Sequence, residues 1–288
     1  MKVNIIGAGA LGKNLAFALQ KKSIAEIGSI CNQSIVSACQ AVNAIGFGTP
    51  VPTLTDLSPA DITFITCSDD NISIVADLLA ETNIISIDSY VIHCSGVLDT
   101  QVLQSLKKRN CSIASIHPLK AFRSLPLNEE VFKGCYCVVE GDELAIRMLK
   151  TLFTDLGAVI VSIDSTKKSI YHSAAVMASN YLVTLAASAT TLLQQAGIDD
   201  DLACSMVCQL MDSSMSNIKR SQQFTDALTG PLRRGDISTI HKHLNAIQDP
   251  LINDFYCVAA LATLPLTSHN QETLRALKCL LTVDDKSS

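Results

Sequence analysis

The sequence has no surplus of basic residues. Lysine and arginine together number 22, against 27 aspartates and glutamates, which gives a formal net charge of -5. Proteins that bind nucleic acid carry a positive surface, so this composition argues against a nucleic-acid partner. The chain has 288 residues, of which 48% are hydrophobic. That length and composition are sufficient for two domains with buried cores.

Two cysteine patterns are also absent. The 11 cysteines include no pair of C-x-x-C knuckles, so we expect neither a structural zinc site nor any other bound metal. The chain opens on an apolar strand pattern instead of a secretory signal peptide, and the number of cysteines is odd. We therefore expect a cytoplasmic protein with free, mostly buried thiols.

One long segment lacks charge altogether. Residues 169–198 contain no lysine, arginine, aspartate or glutamate, and they are numerous enough to span a bilayer. Polar residues such as His172, Asn180 and Gln194 interrupt the segment. We interpret it as a helix buried on most sides, in a helical domain or a dimer interface, and not as a membrane span. Its apolar surface exceeds what a small helical unit covers, so we expect a homodimer formed through this domain.

The first apolar run leads directly into a glycine-rich turn. Residues 3–6 are typical of a buried strand, and G-x-G-x-x-G and a helical pattern follow. The first glycine permits a tight turn, the second lets the backbone approach a pyrophosphate, and the third allows helix and strand to pack closely. The helix would direct its first N–H groups at the phosphates. This pattern predicts a dinucleotide site with the loop residues Gly7, Ala8, Gly9, Ala10, Leu11 and Gly12.

The tip of the second predicted strand has no acidic residue. An acid roughly twenty residues beyond the glycine motif would bind the ribose hydroxyls of NAD. Asn32, Gln33 and Ser34 stand there instead, with no arginine beside them. These neutral side chains can donate hydrogen bonds to a 2′-phosphate and do not repel it. We therefore expect NADP as the cofactor in preference to NAD.

Strand-length apolar runs alternate with helical patterns as far as Asp164. We predict a helix near 35–42, a Gly/Pro-rich connection over 46–52, and further strands and helices after it. The strands are 62–66, 91–94, 113–116, 135–139 and 159–163, and the helices between them are 72–79, 101–107 and 143–156. This alternation predicts an α/β fold with a doubly wound, mostly parallel sheet in residues 1–164. For residues 165–288 we predict an all-helical domain, with a disordered tail over 284–288.

Polar clusters follow two of the central predicted strands. Ligands of open parallel sheets bind beyond the carboxyl ends of the strands. Cys67, Ser68 and Asp69 follow one strand, either as part of the cofactor site or as the start of a helix. At the next strand end, His93 would contact the cofactor and Ser95 the nicotinamide or the substrate. A plain turn is the alternative at that position.

A third strand ends on a histidine. His117 is placed for proton transfer, and Lys120 and Arg123 could hold a substrate anion beside it. The alternative is a rigid turn at Pro118 with a hydrogen-bonded histidine.

The predicted helical domain opens with a second pair of candidates. Lys168 and His172 are four residues apart, so they share a helix face and could together deliver the proton that accompanies hydride transfer. The alternative is a solvated lysine and a buried, hydrogen-bonded histidine.

Taken together, these motifs resemble an uncharacterised bacterial family that joins a Rossmann-like NADP-binding domain to a helical C-terminal domain of unknown function. Its members are described as NADP oxidoreductases. The resemblance rests on segments 7–12, 68–70, 93–96, 117–119, 171–181 and 229–236. More distantly, the layout is similar to pyrroline carboxylate reductase, ketopantoate reductase and the β-hydroxyacid dehydrogenases. That resemblance implies a helical domain of the phosphogluconate-dehydrogenase C-terminal type and an active site in the interdomain cleft.

Two details of the resemblance leave the substrate class open. Lys168 matches a catalytic lysine of the β-hydroxyacid group, but His172 stands where that group has asparagine. His117 and Pro118 are similar to the catalytic histidine loop of prephenate dehydrogenases, without the glycine that usually follows.

We expect an NADP-dependent oxidoreductase acting on a small anionic carbonyl, imine or hydroxy substrate. A non-catalytic NADP sensor acting through a helical homodimer and a prephenate-dehydrogenase-like enzyme are the alternatives.

Overall fold

The computed structural model describes residues 1–282. The tail predicted to be disordered, residues 284–288, lies outside the described residues. The chain divides into two compact units, the first of which is Met1–Ser179 and the second of which begins at Asn180. We describe each unit by itself.

The first unit is built on one sheet, which has eight strands within the described residues. The strands are β1 (Lys2–Ile6), β2 (Glu26–Cys31), β3 (Thr49–Val51), β4 (Ile62–Ile65), β5 (Tyr90–His93), β6 (Ser112–Pro118), β7 (Tyr136–Gly141) and β8 (Val159–Ser162). They lie in the order β3-β2-β1-β4-β5-β6-β7-β8. Neighbouring strands are parallel except β6 and β7, which are antiparallel. The predicted doubly wound, mostly parallel sheet is confirmed.

Helices connect these strands. They are α1 (Ala10–Lys21), α2 (Ile35–Ile45), α3 (Asp69–Glu81) and α4 (Glu143–Asp155). The helix predicted near 101–107 is a 3₁₀ helix, Thr100–Arg109, whose capping residue Asp99 accepts a hydrogen bond from the N–H of Gln101.

Both faces of the sheet are covered. Successive strand residues point to opposite faces, so Phe64 and Ile65 of β4 belong to different apolar clusters. Phe64 packs edge-on against Phe153 of α4, and Ile65 belongs to the same cluster as Ile72 of α3. Burial on both faces is the usual condition of a parallel sheet.

One strand lies where the sequence predicts a connection. Residues 46–52 contain two glycines and two prolines, which indicate a loop, yet Thr49–Val51 pairs with β2 as β3. Pro50 lacks an N–H group, and β3 is an edge strand, where a missing donor is tolerated. The prediction of an uninterrupted loop here was wrong.

The second unit consists of helices and their connections in its described residues. The helices from Lys168 onward are α5 (Lys168–Gln195), α6 (Asp200–Arg220), α7 (Phe224–Ala227), α8 (Pro231–Arg234), α9 (Ile237–Ala246), α10 (Pro250–Thr263) and α11 (Gln271–Leu281). A small apolar core joins α9, α10 and α11 through Ile240, Cys257 and Leu277.

The two units divide within α5, whereas the sequence places a boundary near Asp164. The last strand does end at Ser162, close to that position. The first turn of α5 nevertheless belongs to the sheet unit, because Lys168 is buried there and bonds to residues of that unit.

The long uncharged helix is not buried on most sides within this chain. Lys168 is the one buried residue of α5, and apolar side chains such as Met177, Tyr181 and Val183 are exposed. Residues 165–195 are also long and apolar enough, by length and composition alone, to cross a membrane. Burial inside a helical domain of the same chain was therefore a wrong expectation.

Candidate functional site

The glycine-rich loop connects β1 to α1. Gly7 has φ +87°, and a Cβ at that position would lie 2.5 Å from the backbone nitrogen of Cys67. A Cβ on Gly12 would lie 2.5 Å from Thr66 Oγ1, so this glycine lets α1 pack against the sheet. A Cβ on Gly9 would have no neighbour nearer than 4.0 Å. The fold itself requires Gly7 and Gly12, whereas Gly9 borders open space that a phosphate group could fill.

Backbone amides at the start of α1 have no partner within the helix. The N–H groups of Ala10, Leu11 and Gly12 belong to the first turn of α1, before intrahelical bonding begins. The N–H of Ala8 donates to Asn32 Oδ1 at 2.7 Å, so the chain itself uses that amide. The loop therefore offers a cradle of amides at a helix N-terminus, where a negative charge is favoured.

The residues at the tip of β2 have separate roles. Asn32 is fixed to the glycine loop through its oxygen. Ser34 caps α2, because its hydroxyl accepts a bond from the N–H of Ser37 at 3.2 Å. Gln33 is exposed between them and lines the space in front of the loop.

Two cavities of about 430 Å³ each flank this tip. Both are lined by Gly7, Asn32, Gln33, Cys67 and Ser68. The first is also bordered by Lys13, Ser37 and Gln40, and the second by Pro52, Leu54, Asn71 and Val75. The first cavity, which we call the polar cavity because most of the side chains that border it are polar, fits the phosphate part of a dinucleotide. The second, largely apolar cavity fits the adenine.

Asp69 is separate from these cavities. It is half-buried in the first turn of α3, and the residues that border the two cavities do not include it. The adjacent Ser68 accepts a bond from Asn71 Nδ2 at 2.7 Å, which orders the start of the helix.

His93 is the buried last residue of β5, and its side chain bonds to the loop that follows. Its Nδ1 accepts a bond from the N–H of Ser95 at 3.2 Å, and its Nε2 lies 3.2 Å from the carbonyl oxygen of Asp99. Burial lowers the pKa of His93 to about 3, with a further contribution from the nearby Lys168. A neutral imidazole with both nitrogens bonded to the backbone holds the loop in shape, and this geometry favours the turn alternative.

Ser95 also bonds to its own loop. Its hydroxyl accepts bonds from the N–H groups of Val97 and Leu98 at 3.2 and 3.0 Å, and the residue is buried. The hydroxyl therefore stabilises the turn in which it lies.

Lys168 is buried beneath the same loop. Its Nζ donates to the carbonyl oxygen of Ser95 at 3.1 Å and to Ser115 Oγ at 2.6 Å. Ser115 in turn donates to Glu140 Oε1 at 2.6 Å, and Thr100 donates to Glu140 Oε2 at 3.0 Å. The ammonium and the Glu140 carboxylate are 3.7 Å apart.

This network holds the Lys168 side chain in one position. Burial lowers the pKa of its ammonium, and the carboxylates of Glu140 and Asp99 oppose that shift. Because Lys168 is only 2% exposed and its ammonium is already bonded, the side chain stabilises the backbone at Ser95.

His117 and Tyr171 form a hydrogen-bonded pair at the end of β6. The Nδ1 of His117 lies 2.8 Å from the Tyr171 hydroxyl oxygen. Burial lowers the pKa of His117 to about 4, and the charges of His172 and Lys168 act in the same direction, while Asp69 opposes them. Burial also raises the pKa of Tyr171 to about 12. Near neutral pH the pair is an uncharged imidazole beside an uncharged phenol.

His172 completes a cluster over Gly96. The His117 and His172 rings meet edge to face, with centroids 5.5 Å apart. A Cβ on Gly96 would overlap His172 Nδ1 and lie 3.0 Å from His117 Nε2. The His172 Nδ1 is buried without a hydrogen-bond partner among the described residues. Two imidazole nitrogens therefore converge on the backbone of one glycine.

The structure brings together only part of the predicted set. His117 and His172 face each other, while His93, Ser95 and Lys168 are buried supports around them. Tyr171 and Glu140 were not among the predicted site residues. The available signal for Glu140 is an acid near the end of an otherwise buried strand, and for Tyr171 it is only adjacency to His172.

Comparison with known families identifies both parts of the chain. Residues 1–118 match a Rossmann-like domain, and residues 135–263 match DUF2520, a domain of unknown function. The chain thus combines a Rossmann-like domain with a DUF2520 domain, and the resemblance found in the sequence is confirmed. No curated protein matches the sequence.

Several solved structures share the fold. A Bacteroides fragilis protein provisionally named an NADP oxidoreductase is 21% identical with a TM-score of 0.77, over 92% of this chain and 98% of that one. A Thermotoga maritima protein, TM1727, is 26% identical with a TM-score of 0.67, over 96% and 98% of the two chains. Pyrroline carboxylate reductase from Plasmodium falciparum, solved with NADP bound, is 14% identical with a TM-score of 0.61, over 98% of each chain.

Proposed function

We propose that this protein is an NADP-dependent oxidoreductase that acts on a small anionic carbonyl, imine or hydroxy compound. The observation that supports the proposal is that the glycine loop and the histidine cluster lie at the same edge of the sheet. The glycine loop follows β1, Gly96 follows β5, and His117 lies near the end of β6, and these three strands run in parallel. Both the dinucleotide cavities and the histidine cluster therefore lie at the carboxyl ends of the strands, where such sheets bind ligands.

The chain's own residues would position the cofactor and handle the proton. A bound nicotinamide dinucleotide supplies or accepts the hydride. The amides of Ala10 and Leu11 and the open face of Gly9 fit its pyrophosphate. His117 and His172 take or give the proton that accompanies hydride transfer at the substrate oxygen or nitrogen.

The electrostatics of the cluster set the protonation state of His117. Burial lowers its pKa, so the imidazole is neutral at pH 7 and has a free lone pair for a substrate proton, while its basicity is lower than that of an exposed histidine. Tyr171 fixes the orientation of that ring through its bond to Nδ1. Lys120 and Arg123 follow closely in the chain, are solvent-accessible and can attract an anionic substrate.

The direct test is NADPH oxidation and NADP⁺ reduction by the full chain with a panel of keto acids, cyclic imines, hydroxy acids and prephenate. With any accepted substrate, we expect His117→Gln or His172→Asn to lower kcat/KM by about 10²-fold or more. The exposed His241→Asn is the matched control. Turnover that survives both cluster substitutions would refute the assignment. Dinucleotide binding without turnover of any panel member would favour the sensor alternative.

We propose also that the protein forms a homodimer through α5 and α6 and is cytoplasmic. Helix α6 buries only Ala203 and Val207, although Leu202, Met206 and Leu210 are apolar and exposed. A helix that buries so little gains little from packing, so a second copy covering this surface would stabilise it.

A further inference from the structure

One lysine lies beside the glycine loop without a charged partner. Lys13 is in the first turns of α1, and its N–H donates to the carbonyl oxygen of Gly9 at 3.1 Å. Its side chain is half-buried and borders the polar cavity. Among the ion pairs of the described residues, Lys13 has none.

The polar cavity is suited to an anion. Its described lining contains one cation, Lys13, and no carboxylate. The other polar side chains around it are Asn32, Gln33, Ser37, Gln40, Thr66 and Ser68. An anion in this space would meet donors and a positive charge, with no acid to repel it.

The side chain of Asn32 is also oriented to donate hydrogen bonds to an anion. Its side-chain oxygen accepts the N–H of Ala8, which leaves the two amide hydrogens to donate elsewhere. An aspartate at this position would present acceptors to ribose hydroxyls, whereas this asparagine presents a donor.

The lining of the second cavity indicates which part of a dinucleotide would lie near Lys13. Pro52, Leu54 and Val75 make that cavity suitable for a flat apolar base. Asn32 and Gln33 border both cavities, so the ribose attached to the base would lie at the tip of β2. The polar cavity with Lys13 is then the space available to a phosphate on that ribose.

We propose that Lys13 binds the 2′-phosphate of NADP and is the main determinant of NADP over NAD. The inference rests on the proposed function. It places the positive charge that selects NADP over NAD on α1, because the tip of β2 has no arginine to provide one.

The test is to measure Kd for NADP⁺ and NAD⁺ by calorimetry with the wild-type chain and with Lys13→Met. We expect the substitution to weaken NADP⁺ binding by about ten- to a hundred-fold, the usual effect of losing a charged hydrogen bond. NAD⁺ binding should change less than about twofold, since NAD⁺ lacks the phosphate. Lys13→Arg should retain the NADP preference, and Lys150→Met, which removes an exposed charge from α4, is the control.

Three results would overturn the assignment. The first is an equal loss of NADP⁺ and NAD⁺ affinity in Lys13→Met, which would place Lys13 at the pyrophosphate that both share. The second is no change in either affinity, and the third is a wild-type preference for NAD⁺. Wild-type protein that binds neither dinucleotide would overturn the proposed function as well, so the two failures are distinguishable.

Discussion

The two units of the molecule bury their apolar residues to very different degrees. In the sheet unit, apolar clusters cover both faces of the sheet, and large side chains such as Phe64, Phe132 and Phe153 are fully buried. In the helical unit the buried cluster is small, and α6 leaves Leu210 69% exposed. Since buried apolar area is the main source of stability, the sheet unit gains far more of it than α5 and α6, which leave apolar side chains exposed.

This difference separates two kinds of residue. In the sheet unit, buried polar groups such as Lys168 and Glu140 hold the loops of the candidate site in place. On α5 and α6, apolar groups such as Val183 and Leu210 are exposed, and we propose that a second copy covers them. Substitutions in the two places should therefore fail in different ways, one by unfolding and the other by dissociation.

The largest effect is expected at the buried ion pair. Lys168→Ala leaves the Glu140 carboxylate, only 6% exposed, without its cation. We expect the free energy of unfolding, measured by urea denaturation, to fall by about 3–5 kcal/mol. Removing the exposed charge of Lys150 in the matched variant Lys150→Ala should change it by less than about 0.5 kcal/mol. The double variant Lys168→Ala with Glu140→Gln should cost less than the sum of its parts, and strict additivity would show that the pair is not coupled.

The next effect is a pH dependence that belongs to the sheet unit. His93 and His117 have folded-state pKa values of about 3 and about 4, below the value of 6.5 for a free histidine. Between pH 6.5 and about 4 the unfolded chain therefore binds more protons, and stability falls as the pH falls. Each histidine contributes a slope of at most about 1.4 kcal/mol per pH unit.

Urea denaturation at pH 7, 6 and 5 measures this slope. His117→Gln should remove about half of the contribution that the two histidines make. A stability that does not change from pH 7 to pH 5 would contradict the burial of both rings.

The smallest effect is expected on α6. Leu210→Glu introduces a charge on the exposed apolar surface, so it should leave the far-ultraviolet circular dichroism unchanged and weaken self-association by about ten- to a hundred-fold. Sedimentation velocity across a concentration series measures that change. If the wild-type protein sediments as a monomer at all concentrations, the proposed homodimer is wrong. The exposed surface would then be available to a different partner.

Sequence reasoning predicted the features that local patterns determine. Alternating runs and the glycine motif predicted the parallel sheet apart from β3, most of its helices, and the tight packing at Gly7 and Gly12. The sequence could not show that Tyr171 bonds to His117 or that Lys168 pairs with Glu140. Such contacts join residues far apart in the chain, and only the packing of the strands decides them.

The long helix shows a second limit of sequence reasoning. A segment without charge predicts burial, but composition does not say whether the burial comes from the same chain or from another copy. In this structure the exposed fractions of Met177 and Val183 are 66% and 68%, so the same chain does not supply it.

The central claim is that the amino-terminal loop binds a dinucleotide, and Gly9 tests it most directly. Gly9 has φ -73° and ψ -151°, an extended backbone outside the left-handed region, and its Cβ would meet open space, whereas a Cβ on Gly12 would clash with Thr66. The measurement is NADPH titration by calorimetry, with thermal unfolding of each variant. The account predicts that Gly9→Ala weakens binding by at least about tenfold at unchanged Tm, while Gly12→Ala lowers Tm. Wild-type affinity in Gly9→Ala, or no binding by the unaltered chain at millimolar NADPH, would contradict it.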